Sequence, residues 1–254
     1  MKLAIMQPYF FPYIGYFQAI HAVDKYILYD NLNYIENGWI HRNRFLVTNG
    51  KPTYLNAEIQ SRSSFKKIKD VDLVDNNRWR SRIMKSLYLN YKKAAYFEET
   101  YSLVEGVIYS KVGKLSDLNY IGIKSICDYL DINTILNNNI SKYDDMENRL
   151  SLLPLVSGEF NCYKLSKPSV KVIRVLEICY TEKADEFINA IGGQGLYDKT
   201  EFMQNGIKLM FVKTIDQPYK QLSNTYYPGL SIIDVLMNCG KDGAKERLIK
   251  YELI

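Results

Sequence analysis

Two short segments near the start of the chain carry side chains that can do acid–base or anion-binding chemistry. Asp30 closes an apolar run, and its carboxylate can orient a hydroxyl or an ammonium group. Residues 39–44 then bring an indole, an imidazole, an amide and two guanidinium groups together. With an ordinary pKa near ~6.5, His41 can accept a proton at neutral pH, and Arg42 beside it can hold a phosphate or a carboxylate. Two plainer interpretations stay open: Asp30 as a turn residue, and the arginines as solvated charges of an edge strand.

Aromatic side chains crowd the segment that precedes these residues. Tyr9, Tyr13 and Tyr16 stand among phenylalanines and a proline in one short stretch. Such a stretch is typical of a pocket wall that stacks on a sugar or a base, and equally of a loop that covers the protein's own helices. The sequence leaves both interpretations open.

The same stretch has the layout of a nucleotide-binding loop. In one class of nucleotide-binding α/β enzymes, a His-x-Gly-His signature follows the first strand, and its imidazoles and the next helix N-terminus hold a phosphate. Tyr13-Ile14-Gly15-Tyr16 takes that spacing here, with tyrosine in place of both histidines. Tyrosine hydroxyls can still donate to an anion, but they do not supply imidazole chemistry. The resemblance is therefore one of layout.

An apolar strand and a short helix must position this loop. Lys2–Met6 predicts a strand, residues 15–23 a helix with one apolar face, and residues 26–29 a second strand. The order strand, loop, helix, strand defines a βαβ unit. Ligands of open α/β sheets bind beyond the carboxyl ends of the strands, which is where the aromatic loop and Asp30 fall.

The rest of the chain mixes further strands and helices. Asn49-Gly50 predicts a hairpin over residues 45–59, placed at a sheet edge. The other predicted elements are two helices within 77–112, helices at 115–130, 169–180 and 184–191, strands at 133–136 and 207–212, and a polar loop at 137–145. Ser231 fits a helix N-cap and Gly240 a C-cap.

These elements predict an α/β fold in a single domain over residues 1–254. We expect a mostly parallel sheet with flanking helices and a nucleotide-binding-like start. Residues 77–131 form a helical middle layer or a subdomain within it. A chain of 254 residues with 47% hydrophobic content can bury such a core.

Charge and cysteine content exclude several classes of protein. The net charge of +5 is spread without a long basic run, so we expect no nucleic-acid partner. Four cysteines lie far apart and only two histidines are present, so we expect no metal site, no disulfide framework and no tightly bound cofactor. No stretch approaches the ~18 apolar residues of a membrane span, and no signal segment precedes the first strand, so we expect a soluble cytoplasmic protein.

Four other features are weaker candidates for chemistry. His21 is a reserve catalytic residue, because its place on the first helix favours a half-buried position. Residues 192–195, Gly-Gly-Gln-Gly, lack the lysine and the serine or threonine of a phosphate-binding loop and indicate a helix stop. Gly158 has no serine elbow around it, and Cys239 has no histidine near it in sequence.

Several blocks of the sequence together resemble the WbqC-like family of bacterial proteins. They are Met6-Gln-Pro-Tyr-Phe-Phe-Pro-Tyr-Ile-Gly-Tyr-Phe-Gln18, Ala22-Val-Asp24, Trp39-Ile-His-Arg-Asn43, Tyr219-Lys-Gln221 and Pro228-Gly-Leu-Ser-Ile-Ile-Asp234. The match covers nearly the whole chain, and its opening block is the most specific part. His41 departs from the family pattern, in which asparagine is usual, so the resemblance speaks against His41 as a shared base.

WbqC-like proteins are associated with gene clusters for O-antigen, the outer part of lipopolysaccharide, and for other surface glycans. The resemblance therefore implies a role in making or modifying a nucleotide-linked sugar, often an amino sugar. The residues it implies for substrate binding are Gln7, Tyr9, Tyr16, Trp39, Arg42, Tyr219, Gln221, Ser231 and Asp234. The candidate catalytic residues are Asp30, His41, Tyr13 and Asn43.

We predict from this set an amide-forming transferase that places an acyl or aminoacyl group on the sugar amine. Asp30 or His41 takes the amine proton, and Tyr13, Asn43 or Arg42 donates to the carbonyl oxygen as negative charge develops there. Replacing Asp30 by Asn is then expected to abolish turnover.

The partners of such an enzyme are a nucleotide-linked sugar and an acyl donor or carrier that the sequence does not identify. Two alternatives stay open. One is a nucleotidyl or phosphoryl transferase with an altered His-x-Gly-His loop, and the other is a non-catalytic sugar-nucleotide-binding or assembly protein.

Overall fold

The computed structural model describes residues 1–152, 162–166 and 169–254. Gly158 lies outside the described residues. The strands are β1 (Lys2–Met6), β2 (Lys25–Leu28), β3 (Arg42–Leu46), β4 (Pro52–Asn56), β5 (Ile135–Asn137), β6 (Glu186–Ala190), β7 (Lys208–Thr214) and β8 (Tyr251–Leu253). The helices are α1 (Ile14–His21), α2 (Asn77–Tyr91), α3 (Phe97–Ile108), α4 (Leu115–Tyr129), α5 (Asp144–Leu152), α6 (Val170–Glu182), α7 (Lys199–Gln204) and α8 (Ile232–Leu248). In this described part of the chain, no helix has the length and apolar character that a bilayer span requires.

A mostly parallel sheet forms the centre of the fold, as predicted. Its strand order is β5-β2-β1-β6-β7-β8, and only β8 runs antiparallel to its neighbour. The predicted βαβ unit is present, because β1 and β2 pair in parallel from Leu3 with Lys25 to Met6 with Leu28. Because β1, β6 and β7 run parallel, the loops after β1 and β7 leave the sheet at the same edge.

Helices cover both faces of the sheet, and strand side chains alternate between two hydrophobic clusters. Phe187 joins the cluster with α5, α6 and α7, whereas its neighbour Ile188 joins the cluster with α1, α4 and α8. The predicted helices α2, α3 and α4 bury their apolar residues in the second of these clusters. The helical middle part of the chain thus shares its core with one face of the sheet.

The segment at residues 184–191 contains strand β6, and the predicted helix there is wrong. Phe187 and Ile188 are adjacent, and both are almost fully buried, on opposite faces of the sheet. A strand between two parallel neighbours is apolar on both sides and loses the alternation that identifies a half-buried strand. Its apolar residues then imitate helical spacing, which explains the error.

The hairpin forms around Asn49-Gly50 as predicted, but its predicted place at the edge of the main sheet is wrong. Strands β3 and β4 pair only with each other, in a separate two-stranded sheet. The Leu46 N–H donates to the Tyr91 hydroxyl of α2, at 3.0 Å. Helices therefore cover the apolar face of the hairpin. The hairpin contacts the loop after β1, at the carboxyl edge of the sheet.

Helix α8 confirms the predicted N-cap and qualifies the predicted C-cap. The Ser231 side chain accepts from the Ile233 N–H, which caps the helix. At Gly240 the backbone takes φ 65° and ψ −167°, so the first segment of the helix does end there, but a second segment continues to Leu248. A Cβ at this position would lie 2.5 Å from the Tyr96 ring, so both the backbone angle and the contact require glycine.

Candidate functional site

A cavity of about 180 Å³ opens between the loop after β1, the hairpin and the segment that leads into α8. Its lining residues are Tyr9, Pro12, Tyr13, Trp39, Asn43 and Gly229. Four of them belong to the set that the sequence predicts as a site. We call this space the first cavity.

The loop that forms one wall of the first cavity is held by its carbonyl groups. The Tyr16 hydroxyl donates to the Gln7 carbonyl at 2.9 Å, and the Asn119 amide donates to the Pro8 carbonyl at 3.0 Å. The Asn43 amide holds the carbonyls of Phe10 and Phe11 in the same way. The carbonyls thus face the protein, and the aromatic side chains of the loop are left to form the wall.

Phe11 is the strained point of this loop. Its φ of 41° lies in the left-handed region, which a residue other than glycine enters at a cost. Its carbonyl accepts from the Asn43 amide and from the Ser231 hydroxyl, each at 2.8 Å. Two donors from separate segments therefore keep Phe11 in this conformation.

Asn43 is predicted as a catalytic donor, but its polar atoms are already engaged with the backbone. Its amide nitrogen donates to the carbonyls of Phe10 and Phe11, and its oxygen accepts from the Arg44 N–H at 2.8 Å. The side chain is 4% exposed, so it forms part of the cavity floor. In this arrangement Asn43 positions the loop and does not face a substrate with a free donor.

A second cavity of about 380 Å³ adjoins the first. The two share Tyr13 and Gly229, and the second is otherwise mostly apolar, with Ile14 and Leu230 in its lining. A Cβ on Gly15 would lie 2.4 Å from the Tyr13 ring, so the glycine lets this ring lie across the start of α1. Tyr13 thus stands as a wall between two spaces.

Asp216 provides a carboxylate to the second cavity, and among the described residues no other carboxylate lines either cavity. Its Oδ1 accepts from the Tyr226 hydroxyl at 2.6 Å, which fixes the carboxylate while leaving the residue exposed. The sequence prediction missed this residue. The usable signal is that Asp216 follows strand β7, at the edge of the sheet where ligands bind.

A buried polar network adjoins the second cavity and is centred on Asp234, which is 0% exposed. Its Oδ1 accepts from the Tyr91 hydroxyl, and its Oδ2 accepts from the Tyr219 hydroxyl, both at 2.6 Å. The Gln221 amide also donates to Oδ2, at 3.2 Å. Burial raises the pKa of Asp234, and the three hydrogen bonds oppose that rise. Gln221 additionally bonds both the N–H and the carbonyl of Tyr227, so the network holds the loop after β7.

Asp30, the first candidate base, does not line either cavity. It is half-buried after β2, and its Oδ1 is buried with no hydrogen-bond partner among the described residues. Burial raises the pKa of Asp30, while the Ser116 hydroxyl at the start of α4 and the Lys69 ammonium lower it. The carboxylate therefore lies near Ser116 of α4 and outside both cavities.

His41, the second candidate base, is 1% exposed. Its Nδ1 shares a hydrogen bond of 2.7 Å with the Tyr34 hydroxyl. Burial lowers the pKa of His41 to about 4, and the positive charges of Arg62 and Arg42 add to the effect. The imidazole is neutral at physiological pH and buried. It is therefore poorly placed to take a proton from a substrate.

The remaining predicted residues divide between the interior and the rim. Tyr16 is 4% exposed, with its ring centroid 5.6 Å from that of Tyr9, and Gln7 is half-buried at the end of β1. Trp39, at 39% exposure, stands at the mouth of the first cavity. Arg42 donates to the Asn37 and Gly38 carbonyls outside it. Trp39 lies outside the hairpin strands, because β3 begins only at Arg42.

The electrostatics of the first cavity favour neutral hydrogen-bond donors. Burial raises the pKa of Tyr9 and of Tyr13, so both hydroxyls keep their protons at neutral pH and can donate to a ligand oxygen. Within the described ranges, no group of three or more histidine, cysteine, aspartate or glutamate side chains is arranged to hold a metal ion.

The fold and the site together define an α/β protein with an aromatic cavity at the carboxyl edge of a doubly wound sheet. More particularly, the chain belongs to the WbqC-like protein family, which it matches over residues 7–246. It is also similar to "Uncharacterized protein Rv1507c" of Mycobacterium tuberculosis, with 28% identity over 244 residues and 95% of each chain covered. Comparison with solved structures finds no significant match.

Proposed function

We propose that the protein is a transferase of surface-glycan biosynthesis that forms an amide on the amine of a nucleotide-linked amino sugar. The observation that supports this proposal is the pair of cavities that share Tyr13 and Gly229. A transfer between two substrates needs two sites that meet at the reacting atoms. The biosynthetic setting of the proposal comes from the association of WbqC-like proteins with surface-glycan gene clusters.

The two cavities suit different substrates. The first is small and walled by Tyr9, Tyr13 and Trp39, whose ring faces can stack on the apolar face of a sugar while the hydroxyls bond to its oxygens. The second is larger and mostly apolar, with Leu230 and Val235 in its lining, and suits the acyl or aminoacyl donor. The amine and the carbonyl carbon then meet beside Tyr13.

The lining also offers the two groups that amide formation requires. The amine nitrogen attacks the carbonyl carbon of the donor, the new C–N bond forms, and the leaving group departs with the electron pair of its broken bond. Asp216 takes the proton that the amine loses, and the Tyr226 hydroxyl keeps the carboxylate in place. The Tyr13 hydroxyl donates to the carbonyl oxygen as it becomes negative.

The alternative of a nucleotidyl transferase with an altered His-x-Gly-His loop has less support. In that loop both signature positions reach the phosphate. Here Tyr13 lines a cavity, but Tyr16 is buried, and its hydroxyl donates to the Gln7 carbonyl. Only one of the two positions is therefore available to a ligand.

A mass-spectrometric screen tests the proposal. Purified protein is incubated with nucleotide-linked amino sugars and with coenzyme A, acyl-carrier or aminoacyl donors. We expect one combination to give an amide product, and Asp216→Asn to lower its rate by about 10²-fold or more, as loss of a general base does. Asp75→Asn, which removes an exposed carboxylate from a different groove, is the matched control and leaves the rate unchanged.

Asp30→Asn decides between the two carboxylates. Because Asp30 lies outside both cavities, we expect its replacement to cost much less activity than that of Asp216. Loss of turnover in Asp30→Asn, with full activity in Asp216→Asn, would return the role to Asp30. Ligand binding without any product under every donor would instead support a non-catalytic binding protein.

A further inference from the structure

An arginine–aromatic stack, formed by Trp39, Arg42, Arg44 and Tyr54, lies on the outer face of the hairpin. The Arg42 guanidinium is 4.4 Å from the centroid of the Tyr54 ring. The Trp39 and Tyr54 ring centroids are 6.3 Å apart, and the Arg44 guanidinium is 5.7 Å from the Trp39 ring. Arg44 and Tyr54 are direct partners in the β3–β4 register, so their side chains share a face. Two neighbouring exposed rings are thus flanked by two cations on one surface.

The two arginines of this stack have no carboxylate partner among the described residues. Within the described ranges, neither Arg42 nor Arg44 forms an ion pair, and Arg42 bonds only to backbone carbonyls. The Arg44 Nε is buried with no hydrogen-bond partner in the part of the chain that the structure describes. By contrast, Arg82 on the neighbouring helix α2 pairs with Glu58. A half-buried guanidinium without a carboxylate partner is suited to bind an anion.

The stack continues directly from the first cavity. Trp39 belongs to both, and Arg44 Nη2 lies 3.4 Å from the carbonyl of Gly229, which lines the cavity. On the other side, Tyr54 and the exposed Arg62 line a groove of about 470 Å³ between the hairpin and α2. A ligand that leaves the cavity at Trp39 therefore meets the guanidinium groups first and an open groove beyond them.

We propose that the arginine–aromatic stack is the subsite for a nucleoside diphosphate, with the phosphates on Arg44 and Arg42 and the base on the Tyr54 ring. This inference rests on the proposed function, in which the sugar occupies the first cavity. Guanidinium groups bind phosphate oxygens in a bidentate way, and exposed aromatic rings stack on bases of any identity. The stack therefore recognises the carrier of the sugar, and the cavity recognises the sugar.

Direct binding measurements on the full chain test the subsite without any acyl donor. Isothermal titration calorimetry compares UDP, GDP, CDP and dTDP with the corresponding nucleosides. We expect at least one diphosphate to bind about tenfold or more tightly than its nucleoside, because charge-assisted hydrogen bonds contribute at this level. No tighter binding by any diphosphate would overturn the proposal.

Single substitutions separate the two parts of the subsite. Arg44→Met is expected to weaken diphosphate binding by about tenfold and to leave nucleoside binding unchanged. Tyr54→Leu, at a position 46% exposed, is expected to weaken both by a similar factor, because it removes the stacking surface. Arg78→Met, which removes an exposed arginine from the first turn of α2, is the matched control and changes neither. Equal effects of Arg44→Met and Arg78→Met would show a general charge effect and reject the subsite.

The outcome for the subsite is distinguishable from the outcome for the proposed function. Diphosphate binding that depends on Arg44, without amide product under any donor, would support the subsite and reject the transferase. Amide formation on a free amino sugar, by a protein that binds no diphosphate, would support amide transfer and reject the subsite.

Discussion

Two aspartate–tyrosine pairs meet between the end of β7 and the start of α8, and they differ in their burial and in their number of hydrogen-bond donors. Asp234 accepts from Tyr219, and Asp216 accepts from Tyr226, both at 2.6 Å. The two tyrosine rings meet edge to face, with centroids 5.7 Å apart. Asp234 is fully buried, whereas Asp216 is exposed at the rim of the second cavity. The same hydrogen bond thus occurs once in the interior and once in solvent.

The comparison shows how one loop is both held in place and used. The buried carboxylate accepts from three donors of α2 and of the loop after β7 and is sealed from solvent, so a substrate cannot reach it. The exposed carboxylate has one tyrosine donor, and its Oδ2 remains open to a ligand. Asp234 therefore has a structural role, because it holds the loop that carries Asp216. Asp216 itself is available to a ligand.

The largest effect should come from removing the buried carboxylate. Asp234→Ala leaves the hydroxyls of Tyr91 and Tyr219 and the amide of Gln221 without their shared acceptor in the interior. We expect the free energy of unfolding to fall by about 3–5 kcal/mol, as buried polar groups that lose their partner cost this much in sum. Chemical denaturation followed by circular dichroism measures the change.

The exposed pair provides the contrast for this measurement. Asp216→Ala removes a bond of the same length at the surface, where water replaces the lost acceptor, and we expect it to cost less than about 1 kcal/mol. Similar losses of stability in both variants would contradict the distinction between a structural carboxylate, Asp234, and a ligand-accessible one, Asp216.

The sequence predicts the frame of the molecule well where the local pattern is sufficient. The unit of β1, α1 and β2 follows from apolar runs and a glycine-containing loop, and Ser231 was recognisable as an N-cap. Strand β6 was missed because it is buried on both faces and its pattern is ambiguous. The hairpin was recognised from Asn49-Gly50, but no local signal says which helices will cover it.

The candidate site was predictable in its residue types but not in their directions. The rule that ligands bind at the carboxyl ends of strands selects Asp30 after β2 and Asp216 after β7 equally well. Tertiary packing decides which of the two aspartates lines a cavity. The Asp30 side chain lies outside the cavities because it interacts with Ser116 of α4. A family resemblance identifies residues that are important for either function or structure. Asp234 is important for structure, because it holds the loop after β7 in place.

A smaller effect is expected where the aromatic loop meets α8. Ser231→Ala removes both the cap of α8 and one of the two donors to the strained Phe11 carbonyl. We expect a loss of about 1–2 kcal/mol in the free energy of unfolding, near the upper end for an N-cap. Faster amide hydrogen exchange in the loop after β1 should accompany the loss, because Phe11 is then held by Asn43 alone.

The cap of α7 is the matched control for this experiment. Asp198 caps that helix by accepting from the Glu201 N–H at 2.9 Å and makes no contact with the aromatic loop. Asp198→Ala should cost about 1 kcal/mol and leave exchange in the loop unchanged. Unchanged exchange in Ser231→Ala as well would mean that the serine acts only as a helix cap.

The smallest expected effect is a dependence of stability on pH that belongs to Asp234 alone. Burial raises the folded-state pKa of Asp234 above its ordinary value of 3.8, because its three partners are uncharged. As pH rises above that value, the unfolded chain loses this proton before the folded protein does, so the wild type loses stability. Asp234→Asn cannot titrate here, so the wild type should lose stability relative to this variant across the window from 3.8 to the folded pKa, with a constant difference outside it. Denaturation curves of both proteins between pH 4 and 7 measure the difference, and a difference that grows in favour of the wild type would show that the hydrogen bonds outweigh burial.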